Sequence, residues 1–158
     1  MIAHLISSLT EIEKLKAPWK KIYSNSNQEN PFLCWEWNWL WISSYASRDS
    51  VRVIVVKDNE KIICIAPFCI KNKEISFLAD SLHSDYMDII MEGFKSNIVK
   101  LVTKKLIEFK DWNKLNLLTL PGYSDSHKYF ELELKKYTIS AEKSVIHASP
   151  YVNITGQF

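Results

Sequence analysis

Apolar positions recur at two different periods along this chain, and the switches between them divide it into elements. Ile12, Leu15, Trp19, Ile22 and Tyr23 follow one face of a helix. Thr10 with Glu13 reads as a capping box at its start, and Pro18 inside the pattern kinks or splits it. Residues 24–29 form a polar loop, after which Asn30 and Pro31 read as an N-cap with proline at the first helical position. Residues 51–57 are rich in β-branched side chains and read as a strand, 58–60 as a turn and 61–70 as the returning strand. Pro67 cannot donate to a ladder, so it marks an edge, a bulge or an end of that strand. After a turn at 71–73, residues 74–78 predict a third strand and 86–91 a fourth. Residues 94–109 predict a second amphipathic helix, with Phe94, Ile98, Leu101, Val102, Leu106 and Phe109 on its apolar face. Residues 115–120 read as a strand ended by Pro121 and Gly122, 124–136 as a helix, and 140–154 as one or two further strands. The order predicts an α+β domain, a mostly antiparallel sheet flanked by helices.

One stretch reads at both periods. Trp35, Trp37, Trp39 and Trp41, four of the six tryptophans, alternate with Glu36, Asn38 and Leu40. As a strand, all four indoles share a face. As a helix, Trp35, Trp39, Ile42, Tyr45 and Ala46 form an apolar arc with Glu36, Ser43 and Ser47 opposite. The Asn-Pro start and the grouping of the serines favour the helix. It sets Trp35 with Trp39 and Trp37 with Trp41 at i,i+4 spacing. Most of these indoles then fill core; Trp37, at the margin of the arc, is the candidate for an exposed ligand contact.

Length and composition narrow the partners. At 158 residues and 47% hydrophobic content the chain is sized for one domain with a real core. A net charge of +2, with the basic residues dispersed, gives no electrostatic case for nucleic acid. No run approaches the roughly 20 apolar residues of a membrane span, and the first residues lack a leader pattern. Three cysteines, Cys34, Cys64 and Cys69, suit a reducing cytoplasm and read as structural thiols.

The densest polar cluster is His83-Ser84-Asp85-Tyr86-Met87-Asp88. If Tyr86 opens a strand, Tyr86 and Asp88 share a face, with His83 and Asp85 in the loop before it as an acid/base pair. A polar turn is the simpler reading. No third ligand at telling spacing points to a metal. His4, His127 and His147 stand apart, and no nucleophile elbow or phosphate loop occurs. Only Gly93, Gly122 and Gly156 are glycines, too few for a loop that cradles a pyrophosphate.

Taken in order, Ala17-Pro18-Trp19, "NPFLCWEWNWLW", "VRVIVVKDNEKIICIAPFCI", "EISFLAD", "SDYMDII", "LNLLTLP" and "SPYVNI" resemble the N-terminal half of the bacterial CelD/FemAB-like acyltransferases. These are relatives of the GNAT N-acetyltransferases, often found in cellulose or exopolysaccharide gene clusters. The resemblance covers nearly the whole chain, from about residue 8 onward. It implies a GNAT-like domain that forms the first half of a two-domain enzyme. The acceptor would be an amine or hydroxyl on a sugar, a peptide or a lipid-linked precursor, a small molecule or precursor related to the cell envelope or to polysaccharide. The donor, acyl-CoA or aminoacyl-tRNA, would be held by a second GNAT-like domain or a homodimer partner. The acetyltransferase signature Arg/Gln-x-x-Gly-x-Gly/Ala does not occur in this chain, so no cofactor site is expected in it. The matching positions are Pro31, Phe32, Trp35, Trp39, Pro67, Asp85, Tyr86, Asp88, Pro121 and Tyr151, with Asp85 and Tyr86 as the acceptor contacts the resemblance suggests. A different reading of the same residues is a non-catalytic binding or dimerisation module with an aromatic-rich surface.

Overall fold

The protein is seen in a computed structural model that describes residues 1–26, 28–47, 50–79 and 83–145. Its centre is a hairpin of β2 (Val51–Asp58) and β3 (Lys61–Lys71), turned at Asn59, whose φ is 51°. Residues 53–56 of β2 and 63–68 of β3 are buried without a break. A strand that alternates covers one face; an unbroken buried run means both faces are covered. β1 (Ile2–Ile6) pairs antiparallel with β2. β4 (Glu74–Phe77) folds back on β3 through Asn72 and Lys73, both left-handed at φ 53° and 63°. β5 (Ile90–Met91) also pairs with β3, and β6 (Lys114–Leu115) runs parallel to β4. The result is an α+β domain on a mostly antiparallel sheet, as the pattern predicts.

The helices bury most of the faces their spacing predicts; Phe94, ahead of α4, and Tyr45 are exceptions and stand exposed. α1 (Leu9–Glu13) and α2 (Lys16–Asn25) replace one predicted helix, and Pro18 falls in the first turn of α2, where its missing N–H removes no bond. The capping box is a correction: Ser8 is the N-cap and Thr10 lies inside α1. α4 (Ser96–Glu108) packs on β1 and β2 through a face that includes Ile98, Val102 and Leu106, and α5 (Ser126–Lys135) packs on α4. Two predicted strands shorten. Of residues 115–120, only Leu115 is in β6, and a turn from Leu117 to Leu120 follows. Of 86–91, only Ile90 and Met91 pair. β1 has no local signature and exists because the free edge of β2 templates it. Residues 140–145 hold neither helix nor strand. The rest of the predicted 140–154 strands, with His147 and Tyr151, lies outside the described residues.

The tryptophan run is helix α3 (Trp35–Tyr45). It starts in two steps. Asn30 caps a 3₁₀ turn, Pro31–Leu33, by accepting from Phe32 N at 3.0 Å. Cys34 then caps α3, its Sγ accepting from Trp37 N at 3.4 Å. Fully buried Trp19 joins α2 to this segment. Its Nε1 donates to Leu33 O at 2.9 Å, and its ring meets Trp35 edge-on at 5.5 Å. Trp35 stacks on Trp39 at 5.2 Å. The second i,i+4 pair does not form: Trp37 meets Phe32, and Trp41 meets Tyr45. Among the described residues no helix is long and apolar enough to cross a membrane.

Trp19→Phe keeps most of the apolar contact but strands the Leu33 carbonyl. It should cost about 2 kcal/mol, read as a lower urea midpoint at unchanged slope. Trp19→Ala should cost about 3–5 kcal/mol by the same measurement.

Candidate functional site

β4 and β5 share one edge of β3, and the chain between them leaves the sheet and returns. The reason is local. The Pro67 carbonyl accepts from Leu78 N at 3.0 Å, so the proline nitrogen, which has no hydrogen, faces that same edge. A continuing strand would find no donor there. At Ala79 the backbone turns left-handed (φ 58°), and residues 83–89 return as an irregular segment before β5.

Side chains from the 3₁₀ turn and α3 hold this segment. Trp37 Nε1 donates to Ser84 Oγ at 2.8 Å. Asn30, whose oxygen caps the turn, donates through Nδ2 to Tyr86 O at 2.7 Å. Tyr86 sits at φ 56°, a conformation that costs a non-glycine residue roughly 1 kcal/mol. Met87, Asp88 and Ile89 then run buried into β5.

Between the 3₁₀ turn and this segment lies a cleft of about 440 Å³, within the usual range for small-molecule sites. Phe32, Tyr86, Asp88, Pro121 and Tyr123 are among its walls. A second hollow of about 240 Å³ shares Gln28, Asp88 and Tyr123 with it and reaches Phe94 and Ser126. The two form one groove, with Asp88 where they meet.

Asp88 is the chemical centre of that groove. Its residue is 5% exposed. Oδ1 accepts from Ile89 N at 2.7 Å and Oδ2 from the Ser124 hydroxyl at 2.5 Å. Burial pushes its carboxyl above the ordinary carboxylate range, and the Ser124 and Ser126 hydroxyls, the Ile89 N–H and the charge of His127 oppose that shift. A carboxylate raised in this way inside a cleft is a proton acceptor candidate. Cys64, fully buried near Asp88, has its thiol driven far up by burial and is inert.

The structure brings two of the four predicted site residues, Tyr86 and Asp88, into the cleft. They do not share a strand face, since pairing starts only at Ile90 and Tyr86 is left-handed. Asp85 is exposed beside the cleft and does not line it. Trp37 is half-buried rather than an exposed contact: it packs on Phe32 and spends its N–H on Ser84. His83 does not pair with Asp85 but packs against the ring of Tyr45 at 5.0 Å. The sequence reading missed Gln28, Tyr123 and Ser124, and set His127 aside as isolated. Their only local signal was a polar loop and a helix start, both common. Among the described residues no group of three or more His, Cys, Asp or Glu is placed to hold a metal ion. Gly93 serves a left-handed turn (φ 63°), and no atom crowds either it or Gly122.

No family model matches the sequence, and no curated protein matches it. A solved structure, the ribosomal-protein-alanine N-acetyltransferase from Brucella melitensis biovar Abortus 2308, is similar at 12% identity and a TM-score of 0.48. The match covers 96% of this chain and 100% of that one. At that identity and score the likeness assigns neither a reaction nor a site residue to this chain.

Folding holds Asp88 above its ordinary value of 3.8, so the native state binds a proton more tightly than the unfolded chain does. The stability this contributes is complete below the unfolded value and lost as pH rises through the folded one. Asp88→Asn should therefore stabilise the fold at neutral pH, with the gain vanishing near pH 4. Urea denaturation at the two pH values checks both signs.

Proposed function

We propose that this chain is the acceptor-binding, GNAT-type domain of a CelD/FemAB-like acyltransferase. The observation that carries the proposal is the buried Asp88 carboxylate at the meeting point of two hollows, with an elevated proton affinity. The ordered motifs of the sequence supply the reaction class. An acceptor amine or hydroxyl enters the groove, and its proton passes to Asp88 as its nitrogen or oxygen bonds to the acyl carbon. The bond from that carbon to the donor's sulfur or ester oxygen breaks, and the donor leaves carrying the electron pair. Holding the two substrates together supplies most of the acceleration.

The donor, acyl-CoA or aminoacyl-tRNA, lies outside this groove. Among the described residues none that lines the two hollows is Lys, Arg or His, so none of them offers a cation to a phosphate there. A second GNAT-like domain or a partner copy holds the donor in this reading. Calorimetric titration with acetyl-CoA should give no saturable binding to this chain, and tight binding would refute the placement of the donor. The reading frame past Phe158 is the complementary check. A glycine-bearing acyltransferase half is expected there or in a neighbouring gene, and its absence from both counts against the whole reading.

A second reading is a dimerisation module. It is favoured by one observation: Leu40 and Tyr45 stand 61% and 65% exposed on α3, in a helix whose sole charge is Glu36. Sedimentation equilibrium decides it. A concentration-dependent dimer weakened by Leu40→Lys supports this reading, and a monomer throughout the accessible range eliminates it.

A further inference from the structure

Ser124 stands in a relation to Asp88 that direct transfer to an acceptor leaves unused. Its Oγ donates to Asp88 Oδ2 at 2.5 Å, while Asp88 Oδ1 is held by Ile89 N at 2.7 Å. A hydroxyl in hydrogen-bond reach of a base, with the base itself fixed by a third group, is the arrangement that activates a nucleophile. Asp88 is buried, and its raised proton affinity suits it to receive the hydroxyl's proton.

The same hydroxyl faces open space. A hydroxyl has one hydrogen and two lone pairs. Here the hydrogen goes to Asp88 and one pair accepts from Ser126 N at 3.1 Å. Among the described residues no further group donates to the other pair, which is left to attack. Ser124 is half-buried and lines the second hollow, and its backbone N–H is tied to Pro121 O at 3.0 Å. The competing nucleophiles each lack one condition. Ser126 lines that hollow but is buried, Cys64 is sealed in the core, and Cys34 is occupied in capping α3. Ile89, Met91 and Phe94 give the hollow apolar walls that suit a short acyl chain. Only the acyl end of a donor needs to enter.

We infer that Ser124 is a nucleophile that carries the acyl group as an ester on its Oγ, with Asp88 as its base. This rests on the acyl-transfer reading above and divides its single step in two. First, Oγ bonds to the acyl carbon and its proton passes to Asp88. The bond from that carbon to the donor's sulfur or oxygen breaks, and the leaving atom takes the electron pair and then the proton from Asp88. Second, the acceptor's nitrogen or oxygen bonds to the same carbon and its proton passes to Asp88. The bond to Oγ breaks, and Oγ keeps the electron pair and recovers the proton from Asp88. The Ser126 N–H already on Oγ steadies the charge that builds there.

The test uses p-nitrophenyl acetate, an activated ester with no phosphate to place. The chain is mixed with it at neutral pH, quenched in acid, digested and mapped by mass spectrometry, while release of p-nitrophenolate is followed in parallel. An acetyl ester on Ser124 is expected, with protein-dependent release that falls about tenfold or more in both Ser124→Ala and Asp88→Asn. Asp88→Asn should be at least as stable as the wild type at this pH, so its loss of acylation is not a loss of fold. Acetylation that persists on Ser124 in Asp88→Asn overturns the inference. Acetyl groups on other residues alone, or on none, also overturn it and leave direct transfer to the acceptor standing. An acetyl ester on Ser124 with no acyltransferase half in the gene or beside it keeps the inference and removes the CelD/FemAB-like reading.

Discussion

One backbone nitrogen on the edge of β3 cannot donate, and the site follows from that. Pro67 is paired with Val53 on the β2 side without needing a hydrogen there. On the other side its carbonyl is used and its nitrogen is not available. β4 therefore ends and β5 begins elsewhere on the same edge, and the segment between them is expelled from the sheet. Everything the groove needs from that side, Tyr86 and Asp88 above all, travels on the expelled segment.

The expelled segment needs support because it has no ladder of its own. It gets this from polar side chains that also shape other elements. Asn30 caps the 3₁₀ turn with its oxygen and fixes Tyr86 with its nitrogen. Trp37 belongs to α3 and holds Ser84. Trp19, through Leu33 and Trp35, anchors that turn and helix to α2. The groove thus stands on a chain of contacts that starts in the aromatic core. Against this, Asp88 and the left-handed Tyr86 oppose stability, and such costs concentrate at functional sites.

The elements legible in the sequence were those whose own residues force a choice. The Asn30-Pro31 step and the placement of Ser43 and Ser47 outweigh the alternation of the tryptophans, and α3 is a helix. The 51–57 and 61–70 runs are β-branched enough to be strands in any context. The misread strands share one cause. β1, the fourth strand and the strand after Lys114 depend on which edge is free to pair, and pairing is not a local property. The site was half legible for the same reason. Tyr86 and Asp88 stood in a visible polar cluster, whereas Gln28, Tyr123 and Ser124 join them only across the fold.

By itself, then, the sequence determined the α+β class, the hairpin, α3 and α4 and the polar cluster ending at Asp88, whereas Pro67, read as an edge, a bulge or an end, lies inside β3. Each determined feature is written in local chemistry: spacing, caps, β-branching. Only the tertiary structure decided that Trp37 is a brace rather than a contact and that Asp85 stays outside the cleft. It alone set Asp88 against Ser124, in surroundings dry enough to raise its proton affinity. Burial, and therefore the proton affinity of a carboxylate, belongs to the neighbours that folding assembles rather than to the residue or its place in the chain.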